Sequence, residues 1–185
     1  MKKRFLITLC VLCLGFCFVS TQAKAEMGHV QTPGWFIGVG GLVGGFEVNE
    51  LKAIGGGFSG PVGYKFNEYV SLYLQADVYY TRDSGVNFLF NNLMPTVKFN
   101  VYETLFLYGG AGYTMLYGWG GFVAGNFSFV ASSIKHGFGG DAGIGYDFYI
   151  NDNWSVTPQG GVNYTYIAST HLITPNVRVN IAYHF

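Results

Sequence analysis

Apolar and polar positions alternate along most of this chain. The clearest case is Pro175–Phe185: Val177, Val179, Ile181, Tyr183 and Phe185 fall on one face, and Asn176, Arg178, Asn180, Ala182 and His184 on the other. A period of two is that of a strand whose faces meet different surroundings. Seven earlier segments repeat it. Trp35–Gly45 places Trp35, Ile37, Val39 and Val43 on one face, and Gly56–Phe66 does so with Phe58, Val62, Tyr64 and Phe66. In Tyr69–Thr81, Val70, Leu72, Leu74, Ala76, Val78 and Tyr80 oppose Ser71, Tyr73, Gln75, Asp77 and Tyr79. Asn92–Tyr102 opposes Leu93, Val97, Phe99 and Val101 to Thr96, Lys98 and Asn100. Leu105–Tyr117 is glycine-rich and its facing is ambiguous. Gly137–Tyr149 opposes Phe138, Ala142, Ile144, Tyr146 and Phe148 to Asp141, Gly143, Gly145 and Asp147. Trp154–Ile167 opposes Val156, Val162, Tyr164 and Tyr166 to Ser155, Thr157, Gln159, Asn163 and Thr165.

These segments approach the ~9–11 residues that a tilted strand needs to cross a bilayer. An unpaired apolar strand in water invites aggregation; a closed barrel in lipid has no open edge. A soluble barrel would turn its apolar face inward and a charged face outward. Here the polar faces carry few charges, and the apolar faces are broad and aromatic. The pattern therefore predicts an all-β, eight-stranded antiparallel up-and-down transmembrane β-barrel. Tight turns are expected at Asn67-Glu68, Glu103-Thr104 and Asn151–Asn153, and longer loops at Phe46–Gly55, Arg82–Asn91, Gly118–His136 and Ala168–Thr174. Short turns on one side and long loops on the other match a barrel with periplasmic turns and extracellular loops. Aromatics gather near the turns (Trp35, Phe66, Tyr69, Tyr102, Tyr149, Trp154, Phe185) and near the loops (Tyr80, Tyr117, Trp119, Tyr164, Tyr166). Both headgroup levels favour such rings.

Lys2, Lys3 and Arg4, the apolar run Phe5–Val19 and the small residues at Ala23 and Ala25 read as a secretory signal peptide, cleaved after Ala25 or Ala23. Residues 1–25 are thus expected to be removed, leaving 26–185 as one barrel domain. All three cysteines (Cys10, Cys13, Cys17) fall in the signal, so disulfides and Cys-metal sites are excluded from the mature chain. Bulky Phe16 argues against lipid attachment at Cys17. Removal of Lys2, Lys3, Arg4 and Lys24 turns a formal charge of zero into six basic residues against ten acidic ones. That balance does not suit nucleic acid.

Gly34-Trp-Phe-Ile-Gly38, Phe66-Asn-Glu-Tyr-Val70, Gly109-Gly-Ala-Gly-Tyr113 and the terminal Phe185 give the chain a resemblance to the small outer-membrane β-barrels of Gram-negative bacteria, the group that includes OmpX and the OmpA transmembrane domain. The resemblance covers 26–185. It implies integral residence in the outer membrane, among its lipid and lipopolysaccharide. It also implies recognition of the last strand, with Tyr183 and Phe185, by the outer-membrane assembly machinery. Members of that group include adhesins, surface antigens, structural anchors, narrow pores and a few lipid-modifying enzymes, so the resemblance speaks for architecture more than for activity.

Lys65, Asp77, Lys98, Asp141, Asp147 and Arg178 fall on polar faces and are expected to meet in the lumen as a neutralised charge network, since charges in a narrow interior must be paired. Inward glycines in the sixth segment leave room for a narrow ion or solute pore as the alternative to a plug. Asp83, Ser84, Ser132, Ser133, His136, Ser169 and His171 sit near the loop ends, but no histidine is followed two residues later by serine, as in the barrel lipid deacylases. No enzyme and no cofactor or metal are expected. Phe88 and Phe90 in the second long loop, and Trp119, Phe122, Phe127 and Phe129 in the third, are candidate contacts for a host-surface or envelope-protein ligand. The expected role is structural, adhesive or antigenic, played at the surface by a monomer.

Overall fold

The computed structural model describes residues 33–48, 51–83, 86–102, 104–120, 122–124, 127–129 and 132–185. The expected signal peptide of residues 1–25 and its cleavage site lie outside them. β1 (Gly34–Val48), β2 (Leu51–Lys65), β3 (Val70–Asp83), β4 (Val86–Tyr102) and β5 (Leu105–Trp119) pair in succession. A small hairpin of β6 (Phe122–Ala124) and β7 (Phe127–Phe129) forms its own sheet. β8 (Ser133–Tyr146), resumed after Asp147 as β9 (Phe148–Tyr149), lies between β5 and β10 (Trp154–Ile167). β11 (Thr170–His184) pairs with β10 on one side and β1 on the other. All pairings are antiparallel, and this last one closes an eight-stranded barrel.

The period of two sets which way each side chain points. Trp35, Ile37, Val39, Phe58, Leu107 and Ile181 are exposed on the outer wall, whereas Ser59, Gln75, Asp77, Thr96, Asn163 and Arg178 are buried within. β5, ambiguous in sequence, turns Phe106, Tyr108, Thr114 and Leu116 inward. At the short-turn end, the Asn67 side-chain carbonyl accepts from the amides of Tyr69 (2.9 Å) and Val70 (2.8 Å). Asn151 does the same for Asn153 (3.0 Å) and Trp154 (2.9 Å). Asn favours such turns because its side chain satisfies amides that the reversing backbone leaves free.

At the opposite end, three of the four expected loops are strand. The described residues of Phe46–Gly55 and Arg82–Asn91 belong to β1 and β2 and to β3 and β4, and Ala168–Thr174 shrinks to the turn at Ala168 and Ser169. Both turn residues have positive φ (50° and 62°), the twist a two-residue hairpin requires. The expected alternation fails there because the inward face becomes apolar. Phe88 and Phe90 point inward, and Asn87 and Asn91 flank Leu89 on the outward face, so the polarity reverses while the strand continues. Strands of 14–17 residues rise about 35 Å at ordinary tilt against an apolar band of ~25 Å. The wall therefore continues about 10 Å past the membrane on the hairpin side.

Candidate functional site

The interior is stacked in layers. Leu42, Ala53, Tyr79, Val86, Phe88, Phe90, Leu116, Ile167 and Leu172 form one buried apolar cluster at the hairpin end. Phe88 (1% exposed) and Phe90 (6%) are thus part of an internal plug, and the loop in which they were expected is β4. Tyr79 anchors the cluster to the wall by donating its hydroxyl to the Gly44 carbonyl (2.6 Å).

Below the plug, Arg178 crosses the lumen. Its Nη2 lies 2.8 Å from Asp77 on β3, and its Nη1 lies 2.6 Å from Asp141 on β8. Nη1 also donates to the Tyr108 hydroxyl at 3.2 Å. Asp77 is held further by Gln75 (2.7 Å), whose amide also donates to Ser59 (2.6 Å), and Asp141 by Asn176 (3.3 Å). One guanidinium fork serving two carboxylates is geometry that lysine cannot supply. The inward glycines expected to leave a gap are filled. A Cβ at Gly143 or Gly161 would collide with the Tyr108 hydroxyl, and one at Gly145 with the Phe106 ring. β8 and β10 are glycine-rich so that these two rings of β5 can lie across the lumen.

At the short-turn end, Lys98 pairs with Asp147, which also accepts from Thr157 (2.9 Å). The Lys98 ammonium sits 4.1 Å from the centre of the Phe106 ring. The six charged residues singled out by sequence therefore divide into two groups: Arg178, Asp77 and Asp141 in mid-lumen, and Lys98 and Asp147 below, with Lys65 in the same lower cavity. Two cavities of about 30 Å³ each, room for a water or two, lie one on each side of the Arg178 layer and share no lining residue.

Tyr149 stands at the expected end but lines the lower cavity rather than the outer belt. Trp119 packs against Tyr117 (5.2 Å between ring centres) and Tyr80 (6.0 Å). β6 and β7 pair Phe122 with Phe129 and Ala124 with Phe127, but the side chains of Phe122, Phe127 and Phe129 lie outside the described residues, as does Ser84. Of the rim histidines, His136 contacts the Tyr113 hydroxyl and His171 that of Tyr164. The sequence did not reveal a contact between Ser155 Oγ and His184 Nε2 at 2.9 Å. The two residues are 29 positions apart and meet diagonally because Ser155 faces Ala182 across β10 and β11. The nearby Asp147 carboxylate is already taken by Lys98 and Thr157.

Closed sheet, apolar outer wall and a lumen that holds the charged side chains together describe a membrane-spanning barrel. A family model for the outer membrane protein beta-barrel domain matches residues 9–185. The chain belongs to that family. As an outer-membrane barrel it is integral to the outer membrane, with the short turns periplasmic and the long hairpins extracellular. Among solved structures it is similar to Ail, the attachment invasion locus protein of Yersinia pestis, with TM-score 0.59 and 16% identity over 82% of this chain and 99% of that one. It is also similar to Neisserial surface protein A, with TM-score 0.55 and 15% identity over 83% and 99%. A second structure of Ail, in complex with the heparin analogue sucrose octasulfate, matches with TM-score 0.54 and 16% identity over 83% of this chain and 99% of that one. At this identity the likeness is one of fold. Among curated proteins, none matches the chain.

Proposed function

We propose that this barrel acts at the cell surface as a structural, adhesive or antigenic protein whose extracellular hairpins make its contacts. The observation that carries this reading is the filled lumen. An apolar plug closes the extracellular end, and the Arg178 bridge with Tyr108 closes the middle. A pore needs continuous water, and the plug removes polar lining where ions would enter, which weighs against the narrow channel.

The finer proposal is a host-surface or envelope ligand held by Trp119 and the β6–β7 hairpin, the longest excursion left once the other loops are strand. The shared fold with an attachment protein supports that class of role and names no ligand. We place the mature domain at 26–185, after signal cleavage, and assign no chemistry to the Ser155–His184 pair.

Two measurements test this. Planar-bilayer recording of the refolded barrel is expected to show no discrete conductance; steady openings, reduced by Asp141→Asn, would establish the channel instead. Replacing residues 120–131 by a short Gly-Ser turn is expected to lower binding to host cells or envelope fractions at least ten-fold. Undiminished binding would remove the hairpin from the contact surface.

A further inference from the structure

The periplasmic cavity carries a charge imbalance. It is lined by Lys65, Lys98 and Asp147, two ammonium groups against one carboxylate when His184 is neutral. Asp147 is engaged by Lys98, and Lys65, only 6% exposed, has no hydrogen-bond partner for its Nζ among the described residues. Glu68, in the adjoining turn, accepts instead from the exposed Tyr69 hydroxyl, which holds that phenol above its ordinary pKa. Asp77 and Asp141 belong to the layer above and lie outside hydrogen-bond reach of Lys65. Asn180, 1% exposed, lines the same cavity with neither its amide nitrogen nor its oxygen partnered.

A buried ammonium without a partner is costly. Water alone would satisfy its protons but leave its charge. The free volume of about 30 Å³ excludes an organic ligand and admits one small ion. We propose that this cavity binds a single small monovalent anion, chloride in the periplasm, between Lys65 and Lys98 with Asn180 as a further donor. Two like charges on adjoining walls then share one counter-ion, and the ligand locks β2, β4 and β11 together at the periplasmic end. The site is independent of the surface role proposed above.

Binding to the folded state alone raises stability with ligand concentration. Urea unfolding of the refolded barrel should be followed as sodium chloride replaces sodium gluconate at fixed ionic strength. The midpoint is expected to climb with chloride and level off in the wild type. In Lys65→Met it is expected to stay flat relative to the wild type, because removal of the unpaired ammonium removes the site. Identical chloride responses in the two proteins would overturn the proposal. Crystals grown in sodium bromide provide a test that needs no variant. An anomalous peak beside Lys65 Nζ is expected, and ordered density there without anomalous signal would mean water and refute the anion.

Discussion

Arg178 and Asp77 stand 101 positions apart in sequence and meet across the lumen at 2.8 Å. The pair joins β11 to β3, two strands that are not neighbours in the sheet. Removing one partner of such a pair leaves a buried charge uncompensated. Arg178→Ala is expected to destabilise the barrel by about 3–5 kcal/mol, because both Asp77 and Asp141 lose their cation. The triple replacement Arg178→Met, Asp77→Asn, Asp141→Asn is expected to regain most of that loss. Urea midpoints of the refolded proteins check both, and a triple variant no better than Arg178→Ala would show that the loss does not come from carboxylates left without their cation.

Phe88 distinguishes a plug from a loop. As a buried member of the apolar cluster, its truncation to Ala is expected to cost about 3–5 kcal/mol, through lost burial and the cavity left behind. An unchanged midpoint would return Phe88 to a mobile surface segment. Leu116→Ala on the facing strand should cost about 2–5 kcal/mol for the same reason.

Ser169 adopts φ of 62° in the β10–β11 turn, a region that glycine enters without steric cost. Ser169→Gly is expected to leave the barrel unharmed or to stabilise it by up to about 1 kcal/mol, as read from the thermal midpoint. A loss of more than that would mean the serine hydroxyl is needed.

Phe185 donates its backbone amide to the Trp35 carbonyl at 2.9 Å, and its ring stacks edge-on with Tyr183 at 5.0 Å. Deleting Phe185 takes both from the closing seam. Lower outer-membrane abundance in cells is expected, with the refolded protein less affected than the cellular one if the residue also serves assembly. Normal abundance would dismiss Tyr183 and Phe185 as an assembly signal.

The period of two was enough to give strand number, closure between β11 and β1, and the inward placement of every charged residue in the candidate network. It worked because lipid and lumen impose opposite demands on successive residues. It stopped working beyond the lipid, where those demands reverse. From Val86 to Asn91 the inward face is apolar (Val86, Phe88, Phe90) and Asn87 and Asn91 turn outward, so a strand read as a loop and its two phenylalanines as surface contacts. The partition of the six charges was equally hidden. Parity puts Lys98 and Asp77 on the same side of the wall but says nothing of height, and height decides that Asp147 meets Lys98 while Asp77 meets Arg178. Tyr108 was missed because the glycines that follow it blur the facing of its strand, and the glycines that make room for its ring lie on β8 and β10.

The strands' extra length has a consequence for whatever meets this protein from outside. Their upper ends pair as a hydrogen-bonded collar around the apolar cluster, so most of what the described strands present there is one continuous folded surface. Antibodies or phage that bind this collar should recognise side chains gathered from neighbouring strands. Synthetic peptides copying a single hairpin should compete poorly, and boiling the barrel should abolish recognition even where every residue of the epitope remains.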